Sequence, residues 1–311
     1  MKNTVPKSEK PLQLDMPFGE ALQRYLNVNT KDVVTIVEEG DPEDQAAPFI
    51  KWVGGKRSII SEILPRVPAK IKNYFEPFMG GSALFYELAD KIEHAYLSDI
   101  NLDLVITYSV VKKDVHKLIE LLKVHQKKHS EEYYYKIRSQ HSLKDPIEVA
   151  ARFIYLNKTC FNGLYRVNKS GEFNVPIGSY TNPDICSEKR LLLCHKAFKK
   201  ATINYKDFTD IKPVAGDFVY FDPPYHPTSD TSFTDYAKDG FTEKDQSRLR
   251  DFALELHRAG VKVMLSNSNT DYIRDLYKSK AFKIGIVHAP RNVNCKPGKR
   301  GAVEEVLITN Y

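Results

Sequence analysis

The sequence predicts an α/β fold interrupted by an inserted module, and three observations carry that expectation. Asn73–Ser82 followed by Ala95–Asp99 reads as strand, glycine turn, helix, strand and terminal acid. Asp217–Tyr225 reads as an apolar strand running into a rigid polar turn. Well over one hundred residues separate Asp99 from Asp217, too many for a single crossover, so a second module must lie between them.

At 311 residues and 42% hydrophobic content, the chain can bury one large core or two modest ones. It holds no apolar run of about eighteen residues and no charged-then-apolar start, so neither a membrane span nor export is expected. The cysteines Cys160, Cys186, Cys194 and Cys295 are scattered, which points to a reduced, cytoplasmic, metal-free protein. The net charge of +6 is uneven: residues 1–48 carry five basic and nine acidic side chains, leaving about +10 on the rest. That balance favours a polyanionic partner.

Residues 1–48 read as an extension of unreadable role, with an amphipathic piece at Phe18–Leu26, a short strand at Val33–Val37 and an acidic linker at Glu38–Asp44. Phe49–Lys56 then leads into a helix bearing Ile59, Ile60, Ile63 and Leu64, stopped by Pro65. Its paired glycines allow close backbone approach to a ligand. Trp52 either covers a cofactor or packs in a core, and Lys56 is placed to meet a carboxylate. After the glycine turn, Asp99 stands about twenty residues on, where an acid accepts from ribose hydroxyls. Only Gly80 and Gly81 are present, with Ser82 in place of a third glycine, so a nucleoside ligand fits better than a dinucleotide.

Helical periodicity marks Leu102–Val111, Val115–Val124 and Ile147–Leu156. Asn157–Tyr180 reads as two β-prone runs around an Asn-Lys-Ser-Gly turn, a hairpin whose amide, aromatic and arginine side chains either pack or read base edges. His226–Gly240 reads as a long loop able to act as a lid, Thr242 as the N-cap of a helix to about Arg258, and Val261–Leu265 as a buried strand ending at Ser266–Asn269. A basic loop, Cys295–Gly301, separates strands at Phe282–Val287 and Val303–Ile308.

Asp222-Pro-Pro-Tyr225 is the stretch with the clearest chemistry. Two prolines fix φ and donate no N–H, so the Asp222 carboxylate, the Pro223 carbonyl and the Tyr225 ring are held in a nearly constant relation. Such a trio suits a flat base with an exocyclic amino group: two acceptors for its N–H bonds and an aromatic face to stack on. A plain strand followed by a proline turn is the competing reading.

Lys51–Lys56, Glu76–Gly81, the inserted module and Asp222–Tyr225, in that order, resemble the Dam-type DNA adenine-N6 methyltransferases of the α arrangement, from Phe49 to Tyr311. The resemblance implies a Rossmann-like seven-stranded catalytic sheet over 49–112 and 201–311, with a mainly helical target-recognition domain over 113–200 that carries the β-hairpin. It implies S-adenosyl-L-methionine as cofactor, with no metal, and double-stranded DNA as partner. Family cofactor positions fall on Trp52, Lys56, Asp99 and Asp222, with the Glu76, Pro77, Phe78 and Gly80 turn beside the methionine part. Asp222, Pro223 and Tyr225 match the catalytic motif. Lys51, Phe161, Asn162, Leu164, Arg166 and Tyr180 match recognition positions, which implies a GATC target reached by base flipping. Phe161 stands where tyrosine is common, and the extension is foreign to the pattern. The resemblance further implies a cytoplasmic enzyme associated with the nucleoid through DNA, a monomer or weak dimer, with a cognate restriction endonuclease as a possible partner. An inactive DNA-binding regulator, and an RNA or protein methyltransferase, are the alternatives.

Overall fold

At the centre of the protein two short strands, β1 (Asn73–Glu76) and β4 (Phe218–Phe221), lie side by side in parallel, with Tyr74 opposite Phe218 and Phe75 opposite Val219. Every residue of β4 is buried, as expected of a strand covered on both faces. The two-residue period divides its side chains: Phe218 and Tyr220 face one core, Val219 and Phe221 the other. The computed structural model describes residues 45–228, 240–289 and 303–311. The elements expected before residue 45, most of the 226–240 loop and the basic loop at Cys295–Gly301 lie outside them.

On one side of the centre run β2 (His94–Asp99) and β3 (Ala201–Tyr205); on the other, β5 (Lys262–Ser268), β6 (Lys283–Ala289) and β7 (Val303–Thr309). The sheet order is β3-β2-β1-β4-β5-β7-β6, with β7 antiparallel to both its neighbours. The strand order therefore reverses between β1 and β4. In an open α/β sheet the carboxyl ends of the strands flanking that reversal form the ligand crevice.

The approach to the sheet is a short helical segment: a tight turn at Lys56–Ile59, α1 (Ile60–Ile63), then another tight turn at Leu64–Arg66 that carries Pro65. The α-helix does end before the proline. Between β1 and β2 lies α2 (Ala83–Leu88).

The insertion between β2 and β3 holds α3 (Leu102–Lys113), α4 (Val115–Lys128), α5 (Glu131–Arg138), α6 (Pro146–Thr159) and α7 (Glu188–Phe198). Side-chain caps fix several starts: Asn101 accepts from Leu104 N–H, Ser130 from Tyr133 N–H, and Asp145, with Pro146 behind it, from Ile147 and Glu148 N–H. The Asn157–Tyr180 stretch departs from a full hairpin. Two isolated antiparallel bridges, Cys160 to Ile177 and Val167 to Phe173, are all the pairing it makes. Asn162 and Gly163 take positive φ, and Pro176 donates no N–H, so a continuous ladder cannot form. The stretch is anchored from below, where Tyr134 Oη and Arg138 both donate to the Val175 carbonyl.

On the far face of the sheet, α8 (Glu243–Arg258) begins with a Thr242–Asp245 capping box and packs Leu249, Ala253 and Leu256 onto β4 and β5; α9 (Asp271–Leu276) follows β5. Asp217, at the amino end of β4, ties Asn73 and Val214 together and stands away from the crevice.

Candidate active site

Four strand ends deliver polar side chains to one crevice. Glu76 closes β1, Asp99 closes β2, Asp222 follows β4, and Ser266–Ser268 close β5.

Asp222 is held by two donors on the same oxygen. Lys56 Nζ lies 2.8 Å from Oδ1, and Ser266 Oγ donates to that atom at 2.8 Å. Ser266 is itself fixed by the Tyr220 hydroxyl at 3.1 Å. Oδ2 has no donor among the described residues. With its side chain 18% exposed, the carboxylate is anchored along one edge and open along the other. The expectation that Lys56 meets a carboxylate is met by Asp222, and the same ammonium sits 4.7 Å from the centroid of the Tyr225 ring. Tyr225 donates from its hydroxyl to Glu305 Oε2 at 2.7 Å. Burial first, then the Asp222 and Glu305 carboxylates, raise its phenol well above the ordinary range, so it stays a neutral donor.

The glycine turn is shaped by Trp52. Gly80 has φ +41°, and a Cβ there would come within 2.7 Å of Trp52 Cδ1, so no larger residue fits. The other side of the indole packs on Phe153 at 6.3 Å and Tyr165 at 5.7 Å, both from the insertion. Of the two readings that the sequence left open for Trp52, packing against the core is the one seen here, with the indole also lying against the Gly80 turn. Ser82, standing where a glycine was expected, takes the left-handed φ of +51° that glycine would supply, and its hydroxyl donates to Met79 O at 3.1 Å. A non-glycine residue there costs roughly 1–2 kcal/mol.

Asp99 accepts from Gly80 N–H at 3.2 Å and Asn101 N–H at 2.9 Å, which fixes the acid against the turn. Burial raises its carboxyl, and those backbone donors oppose the shift. Glu76 is 3% exposed, and among the described residues neither its Oε2 nor the Tyr74 hydroxyl has a hydrogen-bond partner. Burial raises the Glu76 carboxyl well above the usual range, with Asp222 and Asp99 adding repulsion. A buried carboxylate with an orphaned oxygen at a strand end is suited to a cationic ligand group. Phe78 packs against Phe208, Phe221 and Phe241 and is half-buried. Pro77 is buried beside it.

A second cluster joins this crevice to the insertion. The buried side chain of Asn157 accepts from Lys51 N–H at 2.8 Å and donates to Lys51 O at 2.7 Å and Gly163 O at 3.1 Å. Gly163, with φ +64°, lies so close to Lys51 that a Cβ would meet its side chain at 2.7 Å. Lys51 Nζ in turn sits 4.7 Å from the Tyr180 ring centroid. Phe161 and Leu164 are half-buried against the core, while Asn162 and Arg166 are exposed. Arg166 is steadied by Asn174, whose Oδ1 accepts from Nε at 2.7 Å. The structure therefore gathers Lys51, Phe161, Asn162, Leu164 and Tyr180 around one turn, with Arg166 just beyond it.

The order of these elements on the chain, a Trp-x-Gly-Gly-Lys segment, a Glu-Pro-Phe turn, an insertion and Asp-Pro-Pro-Tyr, matches one family model over residues 52–293: D12 class N6 adenine-specific DNA methyltransferase. The chain belongs to this family. It is 44% identical to the type II methyltransferase M.MjaIII of Methanocaldococcus jannaschii, over 86% of this chain and all of that one. It is 42% identical to M1.LlaDCHI of Lactococcus lactis subsp. cremoris, over 85% and 95%. A DNA adenine methylase of Haemophilus influenzae is 34% identical, over 86% and 94%. Membership of the adenine methyltransferases implies S-adenosylmethionine as methyl donor and DNA as substrate. The residues present fit that donor: the buried Glu76 oxygen without a partner among the described residues suits its ammonium, and Asp99, held at the end of β2 by the Gly80 and Asn101 N–H groups, suits its ribose hydroxyls.

Sequence reasoning placed Ser266 at the crevice. It missed Gln246, Asn157 and Glu305, which enter through long-range contacts. The one available signal was a pair of acids, Glu304 and Glu305, next to the apolar run Val306–Ile308.

Proposed function

We propose that this adenine methyltransferase modifies N6 of adenine within GATC in duplex DNA, and that the target base is flipped into the crevice between Asp222 and Tyr225. The observation that carries the reading is the asymmetry of Asp222: Oδ1 is occupied by Lys56 and Ser266, and Oδ2 is left to accept one N–H of the amino group. The Pro223 carbonyl accepts the other, and Tyr225 stacks on the ring. Together the two acceptors draw the amino lone pair out of the ring and stabilise positive charge as it grows on N6. Asp222 acts as a fixed negative charge rather than as a base that must first remove a proton.

When bound, S-adenosylmethionine supplies a methyl group already activated by its sulfonium. Trp52, Lys56, Glu76, Pro77, Phe78, Gly80 and Asp99 hold it, with Glu76 taking the ammonium and Asp99 the ribose. The protein's contribution is then chiefly alignment of nitrogen with the methyl carbon. Residues 113–200 form the target-recognition unit, and Lys51, Phe161, Asn162, Leu164, Arg166 and Tyr180 do the reading. Asn162 and Phe161 stand by the gap that flipping leaves, an event that costs a few kcal/mol. Arg166 and Leu164 read the outer base pair, and Lys51 meets a guanine. A cognate restriction endonuclease fits the type II naming of the relatives M.MjaIII and M1.LlaDCHI.

Plasmid DNA treated with the protein and S-adenosylmethionine should become resistant to a nuclease blocked by N6-methylation at GATC and sensitive to one that requires it. Resistance at a different sequence would overturn the target assignment, and no methyladenine at all would overturn the reading.

A further inference from the structure

Beneath the catalytic turn lies a pair of buried amides that the chemistry above does not use. Gln246, near the start of α8, is 1% exposed, and Asn267, near the end of β5, is fully buried. Gln246 Nε2 donates to the Pro224 carbonyl at 2.9 Å, and its Oε1 accepts from Asn267 Nδ2 at 3.0 Å. Asn267 Oδ1 accepts from the His226 N–H at 3.0 Å and from the Ser268 N–H at 2.9 Å. The peptide groups on both sides of Tyr225 are thus tied to one amide pair, while the Tyr225 hydroxyl is tied to Glu305.

We propose that Gln246 and Asn267 are positioning residues for the methyl transfer, a clamp that presets the Tyr225 ring as a rigid stacking face before the base arrives. The inference rests on the proposed role of the Asp222–Tyr225 turn. A tyrosine in a half-buried turn without such ties would sample more than one backbone orientation, and ordering it at each turnover would slow the reaction. The clamp also settles which of two consecutive carbonyls serves the substrate. Pro224 O is taken by Gln246, whereas Pro223 O meets no donor among the described residues. Neither proline has an N–H with which to compete. Buried amides are costly unless each polar atom is paired, and here both side-chain oxygens and both nitrogens are used. An apolar substitution would strand the Pro224 carbonyl or the His226 and Ser268 N–H groups, so loss of stability alone cannot identify a positioning role and the test needs a readout specific to Tyr225.

The test compares Gln246→Met in two backgrounds, wild type and Tyr225→Ala, by single-turnover transfer of labelled methyl to a GATC duplex. Acting through Tyr225, the substitution lowers the rate at least tenfold in wild type and less than twofold in Tyr225→Ala, with the KM for S-adenosylmethionine within twofold of normal. Equal losses in both backgrounds, or no loss in wild type, would overturn the clamp. Asn267→Asp keeps the acceptor and removes the donor to Gln246, and it should repeat the pattern if Gln246→Met fails to fold. Hydrogen exchange of the His226 amide, followed in peptides spanning 222–228, reads the clamp without any activity. Exchange at least tenfold faster in Gln246→Met supports it, and unchanged exchange refutes it. A wild-type protein that transfers no methyl to adenine would instead count against the proposed function, with the exchange result still deciding the clamp.

Discussion

The turn at Asp222–Tyr225 and the turn at Phe161–Arg166 are opposite solutions to placing polar groups at a surface. The first is fixed through its own functional side chains: Asp222 by Lys56 and Ser266, Tyr225 by Glu305 and, through its backbone, by Gln246 and Asn267. The second is fixed through its backbone, by Asn157 beneath Gly163, while Asn162 and Arg166 project outward. Bond making between aligned atoms needs side chains that do not move. For the proposed reading of a groove a rigid base with outward side chains suffices, and Arg166 is further steadied by Asn174. The two are joined at Lys51, whose backbone N–H and carbonyl are both held by the Asn157 side chain, and at Trp52, which packs on Phe153 and Tyr165.

Breaking the second turn's support should show the largest effect. Asn157→Leu strands three backbone groups, at roughly 1–3 kcal/mol for each that stays dry. A fall in melting temperature together with weaker discrimination between GATC and altered duplexes is expected; unchanged melting would mean that water replaces the amide at no cost.

Acid should loosen the helical insertion before the catalytic turn. His125 of α4 is 7% exposed, with its Nδ1 paired to the Tyr133 hydroxyl at 2.8 Å and its ring 5.1 Å from Tyr155. Burial, with a smaller push from Lys128, lowers its pKa to about 4. The unfolded chain takes up a proton near 6.5 and the folded chain near 4, so nothing is lost above 6.5. Between those values folding loses up to roughly 3 kcal/mol as pH falls. Melting curves of wild type and His125→Gln should therefore converge from pH 7 to pH 4; parallel curves would remove His125 from the account.

Arg166→Ala should cost about 1–3 kcal/mol at one base pair and relax specificity there, leaving transfer on the cognate site otherwise intact. Competition between cognate and singly altered duplexes measures it. Gly163→Ala should cost about 1–2 kcal/mol of left-handed backbone strain and must also displace Lys51, whose Cβ would lie 2.7 Å from the new methyl, so it is expected to lower the melting temperature and DNA affinity while leaving cofactor affinity unchanged.

The sheet was more legible in sequence than the insertion. Strands β1, β2, β4 and β5 announce themselves as short apolar runs ending in Glu76, Asp99, Asp222 and Ser266, because central strands covered on both faces need little else. The edge strand β3, Ala201–Tyr205, is short and half-polar and gave no such signal; α5 and α7 were likewise unread. The recognition stretch reads as β-prone, but its pairing is decided by Asn157, Gly163 and Val175 contacts made across the fold. Glu305 reaches Tyr225 only because β7 turns back between β5 and β6, a placement that local pattern does not encode.

The most direct test of the account is single-turnover transfer of labelled methyl by Asp222→Ala set against wild type on the same duplex, with cofactor binding measured separately. Loss of the open carboxylate edge should cut transfer by about a hundredfold or more even at saturating cofactor, so that the fall exceeds any change in cofactor binding. Near-normal transfer by Asp222→Ala would contradict the central claim that this carboxylate holds the reacting amino group.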